Sequence, residues 1–375
     1  MKCKLSDICC FRKGKVEVEN LNTKNYISTE NMLPNKSGIT EATSLPKVSS
    51  TQEYKNGDVL VSNIRPYFKK IWQARYDGGC SNDVLVFVPK STTDRDFLYY
   101  LLADDDFFTY SMATSKGTKM PRGDKTSIMQ YEVPMVDFGT QKKIASVLKS
   151  LDEKIELNNV INENLLQQLH VLYLRLFCDS VMDTPLGDVV ATTSGGTPSR
   201  KHDEYYSDSS ICWVKSKELL GNYIHETEEH INDLAIKKSS AKLLPEHSVL
   251  IAMYGATVGA YGVISKPMTC NQAVCALLCN ENYPYTYLFQ IAYESQQKFI
   301  NFAVGSAQQN ISQVLIKQLN LHSDLDIIQR FHDLALPMHQ EIEFLQAENI
   351  RLSNLRDNLL PKLMSGELDV SGIEL

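Results

Sequence analysis

The side chains best suited to chemistry in this sequence are cations and amides set in loops of glycine, serine, threonine and proline, and the chemistry they suit is recognition of a polyanion. Residues 194–201 read SGGTPSRK. The glycines bare backbone N–H groups, and Thr197, Ser199, Arg200 and Lys201 can meet phosphate oxygens or base edges. Arg65 and Lys69 lie in NIRPYFKK, and Lys116, Lys119 and Arg122 in SKGTKMPRGD. Tyr254 opens a glycine-rich run to Gly262, which has the wrong spacing for a phosphate cradle and suits a tight strand crossing. Gln308 and Gln309, in GSAQQNIS, carry amides that pair well with adenine. A net charge of −7 runs against a general affinity for nucleic acid. The acidic residues are frequent in the helical segments, however, whereas these cations cluster outside them.

Catalytic motifs are missing: there is no G-x-x-x-x-G-K-[ST], G-x-G-x-x-G, H-E-x-x-H or G-x-S-x-G. Asn282-Tyr-Pro-Tyr285 looks like the loop with which amino-methyltransferases hold a flipped base, but it lacks proline at its second position and reads better as a turn leading a helix. Asp152-Glu153-Lys154 fits a loose nuclease pattern, yet its charges suit the first turn of a helix answering the dipole. Nine cysteines without a C-x-x-C pair point to reduced thiols and a cytoplasmic protein. Cys270, Cys275 and Cys279 alternate with apolar residues as strand-core thiols do, so no metal site is expected. No apolar run is long enough for a signal peptide or a membrane span.

Two related stretches must position these loops. Thr140 to Phe177 places Leu151, Ile155, Leu165, Leu169 and Leu172 on a heptad stripe, with Asn158 and Asn162 in the seam. About 187 residues later the pattern returns as Ile342, Leu345, Asn349, Leu352 and Leu359, with Arg356 where Leu169 stands in the first copy. Such helices suit antiparallel pairing. Ser150 and Glu153 form a capping box, which predicts a break near Lys149; Pro337 marks the same break in the second copy, and Pro361 should kink that helix. The flanking regions repeat as well. Strands are expected over 58–63, 70–74 and 84–89, with a helix over 94–112; 249–252 and 283–302 answer them. Leu5–Ile8 echoes Leu186–Val189, and 305–312 echoes 117–124. The pattern predicts an α+β fold by internal duplication, divided as 1–138, 139–182, 183–325 and 326–375.

The repeated QKKIASVLKSLDEKIELNN segment, the Gly195–Ser199 loop, GDVLVSNIRPYFKK, VLIAMYGATVGAYG and the ending LLPKLMSGEL resemble, in that order and over essentially the whole chain, the specificity subunit of type I restriction-modification systems. The resemblance implies two α/β target recognition domains, each reading one half of a bipartite double-stranded DNA target, separated by two long antiparallel helices that set the spacing. It implies no catalysis in this chain. Two modification (methyltransferase) subunits would carry S-adenosylmethionine, and two restriction subunits would use ATP and Mg. Set against this are a two-domain protein-interaction scaffold that reads no sequence, and a stand-alone methyltransferase using Asn282 to Tyr285.

Overall fold

The computed structural model describes residues 2–304 and 310–373. The chain folds as two compact units, one of Met1–Ile155 with Arg351–Leu375, the other of Glu156–Ile350. Two long helices, Phe138–Phe177 and Leu325–Ser365, each give residues to both units.

The first unit is built on β1 (Cys9–Phe11), β2 (Val59–Ser62), β3 (Ile71–Gln73) and β4 (Val84–Pro89), in the spatial order β1-β4-β2-β3. β2 reads VLVS and β4 VLVFVP, apolar runs that suit strands covered on both faces. Alternation divides them. Val59, Val61, Leu85 and Phe87 pack with Phe97, Leu101 and Phe107 of the following helices, whereas Leu60, Val84 and Val86 join Tyr54 and Trp72 on the other side.

The second unit repeats this with β5 (Ala191–Ser194), β6 (Asn222–Ile224), β7 (Val249–Ala252), β8 (Tyr261–Ile264) and β9 (Val274–Leu278), in the order β5-β9-β7-β8-β6. Val59 faces Phe87 across β2 and β4, and Val249 faces Leu277 across β7 and β9, so one cross-strand pair recurs at constant offset. β6, parallel to β8, is an addition at the sheet edge.

Each unit holds its share of the helix pair, running antiparallel. In the first, Ile144, Ala145 and Leu148 share a core with Leu360, Leu363 and Met364. In the second, Leu169, Tyr173 and Phe177 share one with Ile328, Phe331 and Ala335. Ile144 corresponds to Phe331 and Phe177 to Met364 in the sequence repeat, so equivalent positions do equivalent work. Burying each such side chain contributes about 1.5–3 kcal/mol. Within the second unit Ile342 and Leu345 are buried and Leu165 and Leu172 pack partly against the core. Asn158 and Asn162 are buried too. Asn158 Nδ2 donates to Glu348 Oε2 at 2.7 Å and to Asn349 Oδ1 at 2.8 Å. In the first unit Leu151, Ile155 and Leu352 are half-buried, and Leu359 packs on the core.

Several expectations need correction. The first long helix has no break at Lys149. Ser150 Oγ donates to Val147 O at 2.8 Å inside a continuous helix, so it caps nothing. The helix begins instead after Asp137, whose Oδ1 accepts from the N–H groups of Gly139 and Thr140 at 3.0 and 3.1 Å. The second long helix starts on the repeat equivalent, Asp324, whose Oδ1 accepts from Asp326 and Ile327. It continues through both Pro337 and Pro361. Each proline forfeits one helical N–H bond, and the burial of Phe331, Ala335 and Ile342, and of Leu360 and Leu363, outweighs that loss. Asp152 therefore lies mid-helix and not in a first turn. Its carboxylate pairs with Arg356 at 2.7 Å and accepts the Tyr100 hydroxyl at 2.7 Å, so the residue that interrupts the second stripe is an interhelical ion-pair partner. The helix expected over 94–112 is two, Arg95–Ala103 and Asp105–Ala113, because Asp104 turns its carboxylate onto Asp106 N and caps the second.

Candidate nucleic-acid interface

In the first unit two loops meet at the end of β2. The turn after Ser62 carries Arg65 and Lys69, and the loop at 115–124 carries Lys116, Lys119 and Arg122. Backbone bonds lay one on the other: Arg65 N donates to Pro121 O at 2.8 Å, Gly123 N to Asn63 O at 3.2 Å, and Ile64 bridges to Arg122. Lys116, Lys119 and Arg122 are exposed. The cations are answered by carboxylates, Lys69 by Asp105 at 2.7 Å, Arg122 by Asp83 at 3.1 Å, and Lys116 by Asp124. The Lys116 hydrogen bond, with those of Ser127, draws the Asp124 pKa down to about 2. Surface pairs of this kind are screened by water and salt and contribute little to stability, so a phosphate can replace the carboxylate without a large penalty.

The second unit repeats the junction. Ile311 N donates to Met253 O at 2.9 Å, and Tyr254 bridges to Asn310 as Ile64 does to Arg122. Ser312 caps the short helix Gln313–Lys317 as Asp124 caps Lys125–Ile128. Tyr254 is exposed; Gln308 and Gln309 lie outside the described residues.

The glycine loop meets the same end of the sheet. Gly195 N bonds Val274 O at 3.2 Å, and Met253 N bonds the adjacent Ala273 O at 2.8 Å. A Cβ on Gly195 would stand 2.1 Å from Cys270 O, and one on Gly196 2.3 Å from Ser240 C, so both positions demand glycine. Thr197 donates to Gln272, and Ser199 and Lys201 are exposed. Arg200 lies over the rings of Tyr206 and Trp213, 4.3 and 5.5 Å from their centroids, and pairs with Glu229, which Lys215 also engages. Sequence reading passed over Tyr206, Trp213, Lys215 and Glu229. They fall in separate segments, brought to Arg200 by the bonds of Trp213 Nε1 to Gly196 O at 3.0 Å, of Trp213 N to Glu229 O at 3.1 Å and of the Tyr206 hydroxyl to Pro198 O at 2.7 Å.

Cys270 and Cys275 are core thiols, raised to about 12 by burial. Asn282–Tyr285 is a helix-leading turn, with Asn280 Oδ1 accepting from Asn282 N and Tyr283 N at 3.1 and 3.0 Å. One group among the described residues has the donor set for a metal ion: Cys212, Glu226 and His230, whose ligand atoms lie within 4.8 Å of one another. Burial works to raise Glu226, but hydrogen bonds from Cys212 and His230 and the charge of Lys266 bring it to about 2. Lys266 Nζ stands 3.3 Å from the same carboxylate, which disfavours a cation there.

Comparison with known proteins identifies the family. The type I restriction modification DNA specificity domain matches residues 1–167 and again 179–322. The MjaIX specificity subunit of Methanocaldococcus jannaschii is 25% identical over 315 residues, 76% of this chain and 71% of that protein. The HindI specificity subunit of Haemophilus influenzae is 23% identical over 438 aligned positions, 92% of this chain and 94% of that protein. The crystal structure of a type I restriction-modification S subunit from M. genitalium superposes with a TM-score of 0.60 at 15% identity, covering 97% of this chain and 96% of that one. With two specificity domains, two matching loop junctions and a shared helix pair, the chain belongs to the family of type I restriction-modification DNA specificity subunits.

Proposed function

We propose that residues 1–138 and 183–325 each read one half of a bipartite double-stranded target, and that the helices over 139–182 and 326–375 set the separation between the halves. The repeated junction carries this reading. Each unit lays a second loop across the turn that follows its central strand, and holds side chains able to meet phosphate or base edges there. Two readers on one frame gain effective concentration only on sites at a matching separation, so spacing becomes part of specificity.

Arg65, Lys69, Lys116, Lys119 and Arg122 would serve the first half-site. Thr197, Ser199, Arg200, Lys201, Tyr254, Gln308 and Gln309 would serve the second. The chain itself supplies no catalysis in this reading. Two methyltransferase subunits bearing S-adenosylmethionine, and two restriction subunits using ATP and Mg, would act on the DNA it selects, in the cytoplasm.

A methylome of the source strain, with this gene intact and deleted, tests the proposal. Loss of one gapped adenine-methylated motif on deletion is the expected outcome, and exchange of residues 1–138 should then change one half of that motif only. Unchanged methylation in a strain expressing the methyltransferase would overturn the reading.

A further inference from the structure

Among the described residues, non-glycine side chains sit at positive φ at Asn35, Lys36, Arg65, Lys69, Asp208 and His247. Four of these meet at one place. Arg65 and Lys69, both at φ 50°, flank the one-turn helix Pro66–Phe68. Asn35 N and Lys36 N, at φ 55° and 62°, donate to Phe68 O and Lys69 O at 2.8 and 2.9 Å. The second unit builds the same turn as Gly255–Thr257, between β7 and β8. There the two left-handed positions are Gly255 and Gly259, at φ 69° and 81°. They stand at the same offset from Arg65 and Lys69 as Val249 does from Val59. One repeat thus has glycine where the backbone asks for it; the other accepts strain to place a cation at both positions.

What the strained turn presents is aromatic. Tyr67 and Phe68 are 49% and 37% exposed, with ring centroids 4.7 Å apart. Their base is rigid, since Phe68 N bonds Arg65 O and Arg65 N bonds Pro121 O. Lys36 and Lys69 share the single carboxylate of Asp105, and Arg65 Nε is buried with no hydrogen-bond partner. An apolar tip on a fixed stem with positive flanks has the form of a side-chain wedge that enters a base step while cations hold the adjacent phosphates.

We propose that Tyr67 and Phe68 are a DNA wedge, inserting at a base step in or beside the half-site read by the first unit, with Arg65, Lys69 and Lys36 bracing the backbone on either side. This rests on the DNA reading above.

The test uses the chain assembled with its methyltransferase partner and a duplex bearing the methylated motif, with 2-aminopurine placed at successive positions. The wild-type complex should brighten 2-aminopurine at one step. The Tyr67→Ala/Phe68→Ala variant should lose that signal and bind about tenfold or more weakly. Arg65→Gly/Lys69→Gly relieves the left-handed strain, so it should melt at an unchanged or higher temperature while binding DNA less tightly and with a shallower salt dependence. Selective wild-type binding without brightening at any step, or with both variants binding as wild type, overturns the wedge and leaves the DNA reading standing. If Tyr67→Ala/Phe68→Ala fails to assemble with the partner subunit, the aromatic pair is a protein contact and the wedge is overturned. A wild-type complex that binds no duplex selectively overturns both.

Discussion

Arg356 on the second long helix places Nη1 2.7 Å from Asp152 Oδ1 on the first, and both side chains are less than one-third exposed. The Tyr100 hydroxyl holds the other carboxylate oxygen at 2.7 Å. Removing one partner strands the other in a partly desolvated place. Arg356→Ala should lower the unfolding free energy of the first unit by about 1–3 kcal/mol. A double-mutant cycle with Asp152→Ala should return a coupling of about 1 kcal/mol or more, and additive losses would show that the pair is idle.

Asn158 offers both amide hydrogens to oxygens of the opposing helix, on Glu348 and Asn349. Asn158→Asp keeps the shape and turns the donor into a carboxylate facing another carboxylate. Urea unfolding at pH 7 should show a loss of about 2–4 kcal/mol, shrinking as the pH falls and the new acid protonates. An isosteric change without effect would mean that the amide pairing does not hold the helices.

His339 is buried against Tyr285 and Phe289, with Nδ1 2.8 Å from the Tyr223 hydroxyl. Burial, with added repulsion from His332 and His247, lowers its pKa to about 3. The unfolded chain, titrating at about 6.5, then binds a proton that the folded chain refuses. Stability from this group is complete above about pH 6.5 and falls by about 1.4 kcal/mol per unit as the pH drops towards 3. His339→Gln should remove one proton's worth of slope from the acid limb of the second unit. His247 has the opposite sign: the Glu343 carboxylate, 3.4 Å from its Nε2, raises it, so its contribution is complete at low pH and fades as the pH rises through its folded value.

Trp213 Nε1 donates to Gly196 O at 3.0 Å, and a Cβ on Gly196 would collide with Ser240 backbone. Gly196→Ala should therefore move the glycine loop off the indole. The chain has two tryptophans, so Trp72→Phe isolates the signal of Trp213. A shift in its emission together with weaker recognition of one half-site is expected; an unaltered spectrum would show that the loop accommodates the methyl.

Hydrophobic periodicity made the long helices and their duplication legible, because a stripe such as Leu165, Leu169 and Leu172 leaves little freedom of interpretation. Their starts were misread. Ser150 and Glu153 form a valid capping box, but a cap signal inside a helix packed on Leu148 and its neighbours has no orphan N–H to satisfy; Asp137 and Asp324 do. The loop clusters were visible as composition, and the β-junction explains why Arg65 and Arg122 belong together. The aromatic cradle of Arg200 was not visible, because Trp213 and Glu229 meet by backbone pairing between separate segments and Tyr206 joins them through a side-chain bond to Pro198 O. The left-handed strain at Arg65 and Lys69 was latent in the repeat, where Gly255 and Gly259 hold the same positions.

The first unit is discontinuous: it needs residues 351–375 as well as 1–155, whereas the second is continuous. During synthesis domains generally fold in the order they emerge; here that order inverts. The second unit has all its residues once Ile350 has left the ribosome, while Phe97, Phe107 and Leu148 wait for Leu360, Leu363 and Met364 to close their core. A premature stop shortly after residue 350 would leave the second unit whole and the first one open, so the earliest part of the message would encode the part of the protein most exposed to degradation.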